Sequence, residues 1–326
     1  MLEVKGLSIA YGRSLAVRDI DIVLPEGEAL GIIGESGCGK STLALGLLGL
    51  LPATGLVARG SVVLNGESLL SMTPEALRQS RWRDFAYVPQ SAMNALDPVR
   101  SLRAQFTETA RAHGWAGDVG GRAAALFEQV GLAPVWLDKF PHQFSGGMRQ
   151  RAVIALALLF DPPLIVADEP TTGLDVIVQA EIIELLRRLR AERGLSLLMV
   201  SHDLGVIGEL CRRVAVMYAG RIVEEGIAGA VLTAPRHPYA MALRLAVSDI
   251  ADPERPAISI QGAPPSPDAL PQGCAFSPRC PFALEICHTE RPHLTQDGER
   301  AVACHRAGEA ASLRNLAAEP ALWDAV

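Results

Sequence analysis

A nine-residue stretch, Gly34 to Thr42, constrains the fold more than any other part of this chain. It reads Gly-Glu-Ser-Gly-Cys-Gly-Lys-Ser-Thr, a pattern that is typical of loops that cradle phosphate. The apolar run Ala29–Ile33 before it predicts a buried strand, and residues 41–51 after it predict a helix. A glycine-rich turn between a strand and a helix points backbone N–H groups and the helix N-terminus at an anion. The sequence therefore predicts an α/β fold with a phosphate site at this turn.

Particular side chains of this loop have chemical roles in such a site. Lys40 is placed to reach the β- and γ-phosphates of ATP, and the Ser41 hydroxyl is placed to ligate magnesium. Cys38 is a small residue that the loop accommodates, and its thiol offers a site for alkylation beside the phosphates. The predicted nucleotide contacts of the loop are Gly34, Glu35, Ser36, Gly37, Cys38, Gly39, Lys40, Ser41 and Thr42.

Two adjacent carboxylates, Asp168 and Glu169, follow the apolar run 164–167. An aspartate at the end of a buried strand can hold magnesium, and the next acid can polarise an attacking water. Because a phosphate loop lies upstream, this pair predicts the hydrolytic part of the same site.

A serine and two glycines, Ser145, Gly146 and Gly147, open a predicted helix about twenty residues before Asp168. Small residues at a helix N-terminus leave its N–H groups accessible to an anion. This triplet predicts a second phosphate contact.

Bulk properties limit the class of protein. The chain has 326 residues, enough for one large domain and a smaller one. Its net charge of −6 and its lack of a Lys/Arg block argue against a nucleic-acid partner. The N-terminus lacks a secretory signal pattern, so we expect a cytosolic protein. The longest uncharged window, residues 41–58, contains glycines and a proline, whereas a membrane span needs about 20 largely apolar residues.

The ordered motifs resemble those of the ATP-binding subunits of ATP-binding-cassette (ABC) transporters, over roughly residues 1–235. The resemblance implies an α/β fold with an ABC-type P-loop NTPase core. That core has a mostly parallel sheet, an antiparallel β subdomain and a helical subdomain at about residues 92–150. Composition changes near Pro235, so residues 236–326 are predicted to form a small Cys/Pro-rich C-terminal extension.

The same resemblance assigns roles around magnesium and the attacking water. Asp168, Ser41 and Gln90 match the magnesium ligands, and Gln90 also matches the glutamine that senses the attacking water. Glu169 matches the catalytic base, and His202 matches the histidine that contacts the γ-phosphate.

Other roles concern adenine and the opposite subunit. Tyr11 matches the aromatic residue that stacks on adenine. Ser145, Gly146 and Gly147 match the family signature, which contacts the γ-phosphate bound by the opposite subunit. Asp175 matches the loop that crosses the dimer interface. The resemblance thus implies that hydrolysis requires a closed dimer.

Two regions resemble peptide and nickel importer ATPases in particular. They are residues 90–98 and the C-terminal stretches 235–239, 273–281 and 304–305. The spacer 51–60 resembles the first of the two paired ATPases in dipeptide and oligopeptide systems. The implied partners are a second homologous ATPase, two transmembrane permease subunits and a solute-binding protein. The implied location is peripheral, on the cytoplasmic face of the inner membrane.

Four cysteines, Cys274, Cys280, Cys287 and Cys304, lie in the C-terminal region with five, six and sixteen residues between successive members. In a cytosolic protein a disulfide is disfavoured, and four thiolates can instead hold zinc or an iron–sulfur cluster. The spacing matches neither the common zinc ribbon nor the ferredoxin pattern. The family resemblance favours a [4Fe–4S] cluster; zinc and free buried thiols are the alternatives. A structural role is expected, because the segment is small.

Two other functions are compatible with the motifs. One is an ATPase that drives import of nickel or another small solute, since the cargo is chosen by the permease and the binding protein. The other is a soluble ABC ATPase that acts on nucleic acid or ribosomes, which the acidic charge and the importer-like C-terminal region disfavour.

Overall fold

The structure, a computed structural model, describes residues 1–90, 95–246 and 258–324. These residues form two compact units. Unit 1 comprises Met1–Leu2, Leu24–Ala29 and Val63–Val200, and unit 2 comprises Glu3–Val23, Leu30–Val62 and Ser201–Val326. Part of the importer-like motif, residues 91–94, lies outside the described residues, as does the proline-containing segment 247–257.

The strands, in chain order, are β1 (Leu2–Tyr11), β2 (Ser14–Leu24), β3 (Ala29–Ile33), β4 (Gly55–Leu64), β5 (Glu67–Ser68), β6 (Phe85–Val88), β7 (Leu164–Asp168), β8 (Ser196–Ser201), β9 (Arg213–Tyr218), β10 (Arg221–Ile227), β11 (Thr295–Asp297) and β12 (Arg300–Val302).

The α-helices are α1 (Lys40–Leu47), α2 (Pro74–Ser80), α3 (Leu102–Ala112), α4 (Val119–Gln129), α5 (Gly146–Ala157), α6 (Val176–Arg193), α7 (Leu204–Leu210), α8 (Ala228–Thr233), α9 (Pro238–Ala246), α10 (Glu285–Thr289), α11 (Ala310–Ala317) and α12 (Ala321–Asp324). None of the helices in the described part of the chain is long and apolar enough to cross a membrane.

Unit 1 contains a parallel arrangement of three strands. Phe85 of β6 pairs with Leu164 of β7, and Leu164 pairs with Ser196 of β8. Every residue of β7 and β8 is buried, as expected for parallel strands that are covered on both faces. The strand predicted from the apolar run 164–167 is therefore confirmed. Their parallel alignment brings the carboxyl ends of β6, β7 and β8 to one edge.

The helices of unit 1 begin at side-chain caps. Ser101 caps α3 by accepting a hydrogen bond from the Ala104 N–H, and Asp118 caps α4 in the same way through Gly121. The Asp118 cap lets α4 begin at Val119 and include two glycines.

Unit 2 contains a mixed sheet. β3 pairs in parallel with β9, while β9 pairs antiparallel with β10, β10 with β12 and β12 with β11. The C-terminal extension thus adds strands to the core strand β10. A buried ion pair between Glu224 of β10 and Arg300 of β12 lies at this junction. The division of the chain at residues 235/236 stays a prediction.

A second sheet of unit 2 has the strand order β2–β1–β4. Helix α1 is shorter than predicted and ends at Leu47 rather than at Leu51. The reason is Gly49, whose φ of +61° lies in the left-handed region that stops a helix.

Candidate nucleotide-binding site

The loop between β3 and α1 has the conformation that an anion-binding turn requires. Gly39, the residue before α1, has a φ of +106°, and a Cβ atom there would lie 2.6 Å from the carbonyl oxygen of Ala16. Only glycine fits this position without displacing backbone. The loop is held further by the N–H of Gly220, which donates to the carbonyl oxygen of Cys38 over 2.9 Å.

Lys40 lies inside the loop and is only 5% exposed. Its ammonium group donates hydrogen bonds to the carbonyl oxygens of Gly34 and Glu35, at 2.7 and 3.0 Å. The loop therefore holds a positive charge next to its own backbone, where a phosphate group would gain both the charge and the N–H groups of the turn. Ser41 is exposed at the start of α1, and Thr42 is half-buried.

Cys38 is buried, and burial raises the pKa of its thiol although Lys40 acts in the opposite direction. We therefore expect iodoacetamide at pH 7 to modify Cys38 at least about tenfold more slowly than free cysteine, because only the thiolate reacts. The rate should rise continuously up to pH 9, since the thiolate fraction of a thiol with a raised pKa grows with pH throughout this range. Peptide mass spectrometry of timed samples measures this rate. Modification at the rate of free cysteine at pH 7 would contradict the burial of this thiol.

Two further predicted contacts lie at the ends of strands. Tyr11 is the last residue of β1 and is half-buried, and a Cβ atom added at Gly55 would lie 2.8 Å from its ring. The backbone at Gly55 therefore packs against the Tyr11 ring, and the exposed part of the ring is accessible to a stacking base. His202 is exposed and directly follows β8.

In unit 1, Asp168 ends β7 and is 2% exposed. The hydroxyl of Tyr87, on the neighbouring strand β6, donates to its carboxylate over 3.1 Å. Burial raises the pKa of Tyr87, and the adjacent Asp168 carboxylate adds to this effect. Tyr87 therefore stays a hydrogen-bond donor and helps to fix the orientation of Asp168.

Glu169 follows in a strained backbone conformation, with a φ of +47°. Such a conformation costs a non-glycine residue roughly 1–3 kcal/mol and is concentrated at functional sites. Its N–H donates to the carbonyl oxygen of Val200 over 2.8 Å. This bond fixes the turn at the carboxyl edge of the parallel strands.

The side chain of Glu169 is oriented by two donors. The amide of Gln90 and the hydroxyl of Thr172 each donate to the same carboxylate oxygen, Oε2, over 2.9 Å. The structure thus brings together two residues, Gln90 and Glu169, that the sequence predicted to share a site. Thr172 was missed by the sequence reasoning; its only signal is that it lies three residues after the predicted base.

The predicted contacts to an opposite subunit lie at helix N-termini in unit 1. Ser145 caps α5 by accepting from the Met148 N–H, and Asp175 caps α6 by accepting from the Val178 N–H. A Cβ atom at Gly147 would lie 2.4 Å from Val178. Glycine is therefore needed at this position for α5 to approach α6.

The four C-terminal cysteines are buried or half-buried, and none of the cysteines is bridged by a disulfide within the described residues. The Leu284 N–H donates to the sulfur of Cys287, and the Arg306 N–H donates to that of Cys304, both over 3.4 Å. Burial raises the pKa of Cys280 to about 12, and the neighbouring thiols of Cys274, Cys304 and Cys287 add to the shift.

This cysteine arrangement gives no direct support for a bound metal. Across residues 1–90, 95–246 and 258–324, no group of three or more histidine, cysteine or acidic side chains is arranged to hold a metal ion. The [4Fe–4S] cluster and its zinc alternative therefore gain no support from the geometry.

A contact that the sequence did not predict joins the cysteine region to the phosphate loop within unit 2. The guanidinium of Arg279, 6% exposed, donates to both carboxylate oxygens of Glu35, at 2.7 and 2.9 Å. It also donates to the Tyr218 hydroxyl over 3.2 Å. Burial by itself lowers the pKa of Arg279, but the hydrogen bonds to Glu35 and Tyr218 have the larger combined effect, so the pKa is raised. The Glu35 N–H donates to the hydroxyl of Tyr239 over 2.7 Å.

The chain is similar to known proteins over most of its length. A family model described as ABC transporter matches residues 17–172, and one described as oligopeptide/dipeptide transporter, C-terminal region, matches residues 223–287. A putative peptide import ATP-binding protein of Brucella melitensis is 41% identical over 314 residues, covering 90% of this chain and 93% of that protein. The chain belongs to the ATP-binding subunits of ABC transporters, in their peptide-importer branch. The dipeptide transport ATP-binding protein DppD of Haemophilus influenzae is 39% identical over 313 residues, which cover 94% of this chain and 95% of that protein.

Solved structures share the fold. A dimeric ATP-binding cassette in a post-hydrolysis state, bound to ADP and phosphate, has a TM-score of 0.63 and 26% identity, covering 70% of this chain and 99% of that chain. CbiO1 of Clostridium perfringens, part of an ABC transporter complex, has a TM-score of 0.61 and 26% identity. The match covers 71% of this chain and 89% of that chain. The predicted α/β fold of an ABC ATPase is confirmed, and the chain is an ATPase of this family.

Proposed function

We propose that this ABC ATPase powers the import of dipeptides or oligopeptides, and that its site residues have the roles predicted from the motifs. The observation that carries the proposal is similarity along more than nine-tenths of the chain to a dipeptide transport ATP-binding protein. The match to the C-terminal region of oligopeptide/dipeptide transporters lends independent support, because that region lies outside the part matched to ABC transporters in general.

In the proposed hydrolysis, the loop N–H groups and Lys40 bind the β- and γ-phosphates. Ser41 and Asp168 would hold magnesium, which would supply positive charge to neutralise the phosphate oxygens when bound. Glu169 accepts a proton from the water that attacks the γ-phosphorus, and the bond from that phosphorus to the leaving ADP oxygen breaks. Gln90 and Thr172 support this role by fixing the carboxylate that receives the proton. His202 contacts the γ-phosphate.

The proposal includes a dimer of ATPase subunits. Val176 and Ile177, next to Asp175, are 83% and 74% exposed, although both are large apolar residues. Such a patch is expected where another subunit covers it. In the dimer, Ser145 and its two glycines contact the γ-phosphate of ATP bound by the opposite subunit, so hydrolysis follows closure. The opposite subunit is a second, homologous ATPase.

The proposed assembly also contains two transmembrane permeases and a solute-binding protein, with this ATPase peripheral on the cytoplasmic face of the inner membrane. Affinity capture from native membranes in mild detergent, followed by mass spectrometry, tests it. We expect to recover two permeases, a second ATPase and a solute-binding protein that carries a peptide. Recovery with ribosomes or nucleic acid would contradict the transport function. A binding protein that carries nickel would show that the cargo is nickel and not a peptide.

The four-cysteine segment is proposed to hold a [4Fe–4S] cluster with a structural role. Backbone N–H groups donate to the sulfurs of Cys287 and Cys304, and such hydrogen bonds would stabilise the negative charge of thiolates that ligate a cluster. A zinc ion held by four sulfurs, and free buried thiols, are the alternatives.

Anaerobic purification followed by iron, acid-labile sulfide and zinc analysis tests this part of the proposal. We expect about four iron atoms and four sulfides per chain, as the composition of such a cluster requires. Replacing Cys280 and Cys304 together with serine should remove the iron, while the Cys211→Ser variant serves as the control. Zinc in place of iron, or no metal at all, would refute the cluster.

A further inference from the structure

We propose that Arg279 is a positioning residue for ATP binding, which holds the phosphate loop through Glu35 and links that loop to the four-cysteine segment. The inference rests on the proposed assignment of Gly34–Thr42 as the phosphate loop. Glu35 and Arg279 lie 244 residues apart in the sequence, and no part of the proposed hydrolysis uses either side chain.

The contact has the geometry of a strong, oriented interaction. Both carboxylate oxygens of Glu35 accept from Arg279, in a two-bond pairing that fixes direction as well as distance. Arg279 is held in turn from behind: it donates to the carbonyl oxygens of Gln261 and Ile260 and lies over the ring of Tyr218. The guanidinium therefore has one orientation, and that orientation is directed at the loop.

The loop backbone is tied at the same residue. The Glu35 N–H donates to Tyr239, and the carbonyl oxygen of Glu35 accepts from Lys40, the residue proposed to bind the phosphates. Tyr239 and Tyr218 pack against each other and against Phe276, with ring centroids 4.5 to 5.4 Å apart. A displacement of the Glu35 side chain is thus transmitted to the turn that must receive the phosphates.

Electrostatics give the pairing a second effect on ATP. Glu35 carries a carboxylate within a loop that must accept a triphosphate, and an unpaired negative charge there would repel the ligand. Arg279 neutralises this charge. The Arg279 side chain is buried, so the ion pair is largely protected from the solvent screening that weakens exposed ion pairs. Loss of Arg279 should therefore weaken ATP binding even if the loop keeps its shape.

Arg279 also belongs to the cysteine region. It ends the short 3₁₀ turn Ser277–Arg279, which lies between Cys274 and Cys280, and the N–H of Cys274 donates to the carbonyl oxygen of Cys287. The position of the guanidinium is thus set by the turn that carries these cysteines. Coupling between two sites is reciprocal, so ATP binding must in turn stabilise the turn that carries Arg279.

The test compares the Arg279→Gln variant with the wild-type chain, in the assembled transporter. We expect the Kd for magnesium AMP-PNP and the KM for ATP to rise about tenfold, in the usual range of coupling between sites, with little change in kcat. In the double variant Glu35→Gln/Arg279→Gln part of this loss should be recovered, because the repelling carboxylate is gone although the two hydrogen bonds to the loop stay lost. The matched control is Arg236→Gln, which removes an ion pair with the exposed Asp297 in the same unit and should leave the Kd unchanged.

Hydrogen–deuterium exchange supplies a readout that does not depend on turnover. Magnesium AMP-PNP at saturating concentration should slow amide exchange in residues 274–287 of the wild type but not of Arg279→Gln. Unchanged affinity together with unchanged protection in Arg279→Gln would refute the inference. A fall in kcat at constant KM, not recovered in the double variant, would show a merely structural role and refute it as well.

The Lys40→Ala variant separates this inference from the function on which it rests. If Lys40→Ala binds AMP-PNP like the wild type, the assignment of the phosphate loop fails, and the inference fails with it. If Lys40→Ala loses binding while Arg279→Gln binds normally, only the role of Arg279 is refuted.

Discussion

Replacing Glu169 with glutamine is expected to lower the rate of ATP hydrolysis by about 10²–10⁴-fold, the usual contribution of a general base. The amide cannot take a proton from water, but its carbonyl oxygen can still accept from Gln90 and Thr172, as the carboxylate does. The site should therefore keep its shape and still bind ATP. We expect the variant to retain ATP in a closed dimer, because closure precedes hydrolysis in the proposed mechanism.

Phosphate release by the purified transporter measures the loss of activity, and filter retention of labelled ATP measures the trapped state. The matched control is Glu184→Gln, which makes the same chemical change on the exposed surface of α6, where Glu184 pairs with Arg187. That control should hydrolyse ATP at the wild-type rate. Hydrolysis retained in Glu169→Gln would show that another group is the base.

Replacing Lys40 with alanine is expected to weaken ATP binding and to reduce turnover by about 10²–10³-fold, as for the loss of one charge-stabilising donor. The effect has two physical sources. The ammonium group is the cation that the loop supplies to the phosphates, and it also bonds two loop carbonyl oxygens. Its removal takes away charge and loosens the turn at the same time.

Equilibrium binding of a fluorescent ATP analogue measures this loss, with circular dichroism to confirm that the variant is folded. Lys5→Ala provides the control, because Lys5 is an exposed lysine whose side chain is 73% accessible and pairs only on the surface with Glu3. Its affinity for ATP should equal that of the wild type. Normal ATP binding by a folded Lys40→Ala protein would refute the assignment of the loop.

The local parts of the site were predictable because the sequence also predicts the strand or helix that flanks each motif. A buried strand before Gly34 and a helix after Lys40 fix a turn of known chemistry, and a fully buried strand before Asp168 places two acids at its carboxyl end. The positions of these elements follow from hydrophobic runs of a few residues. Gln90 and Glu169 were expected to share a site through family resemblance, and they are hydrogen-bonded.

Contacts that join distant parts of the chain were not predictable from the same patterns. The Arg279–Glu35 pair and the Glu224–Arg300 pair connect the C-terminal region to core elements. Nothing in the sequence distinguishes these four charged residues from ordinary surface residues. Helix α1 was predicted too long for a related reason. The leucine-rich run continues past Leu47, and only the backbone conformation of Gly49 shows where the helix stops.

The central claim, that ATP hydrolysis by this chain drives peptide import, is tested most directly by transport itself. The complete transporter, captured with its binding protein, would be placed in proteoliposomes that enclose ATP, and uptake of labelled dipeptides, oligopeptides and nickel would be compared. We predict ATP-dependent uptake of peptides, with none in vesicles that contain Glu169→Gln. Uptake of nickel alone, or peptide uptake that continues with Glu169→Gln, would contradict the account.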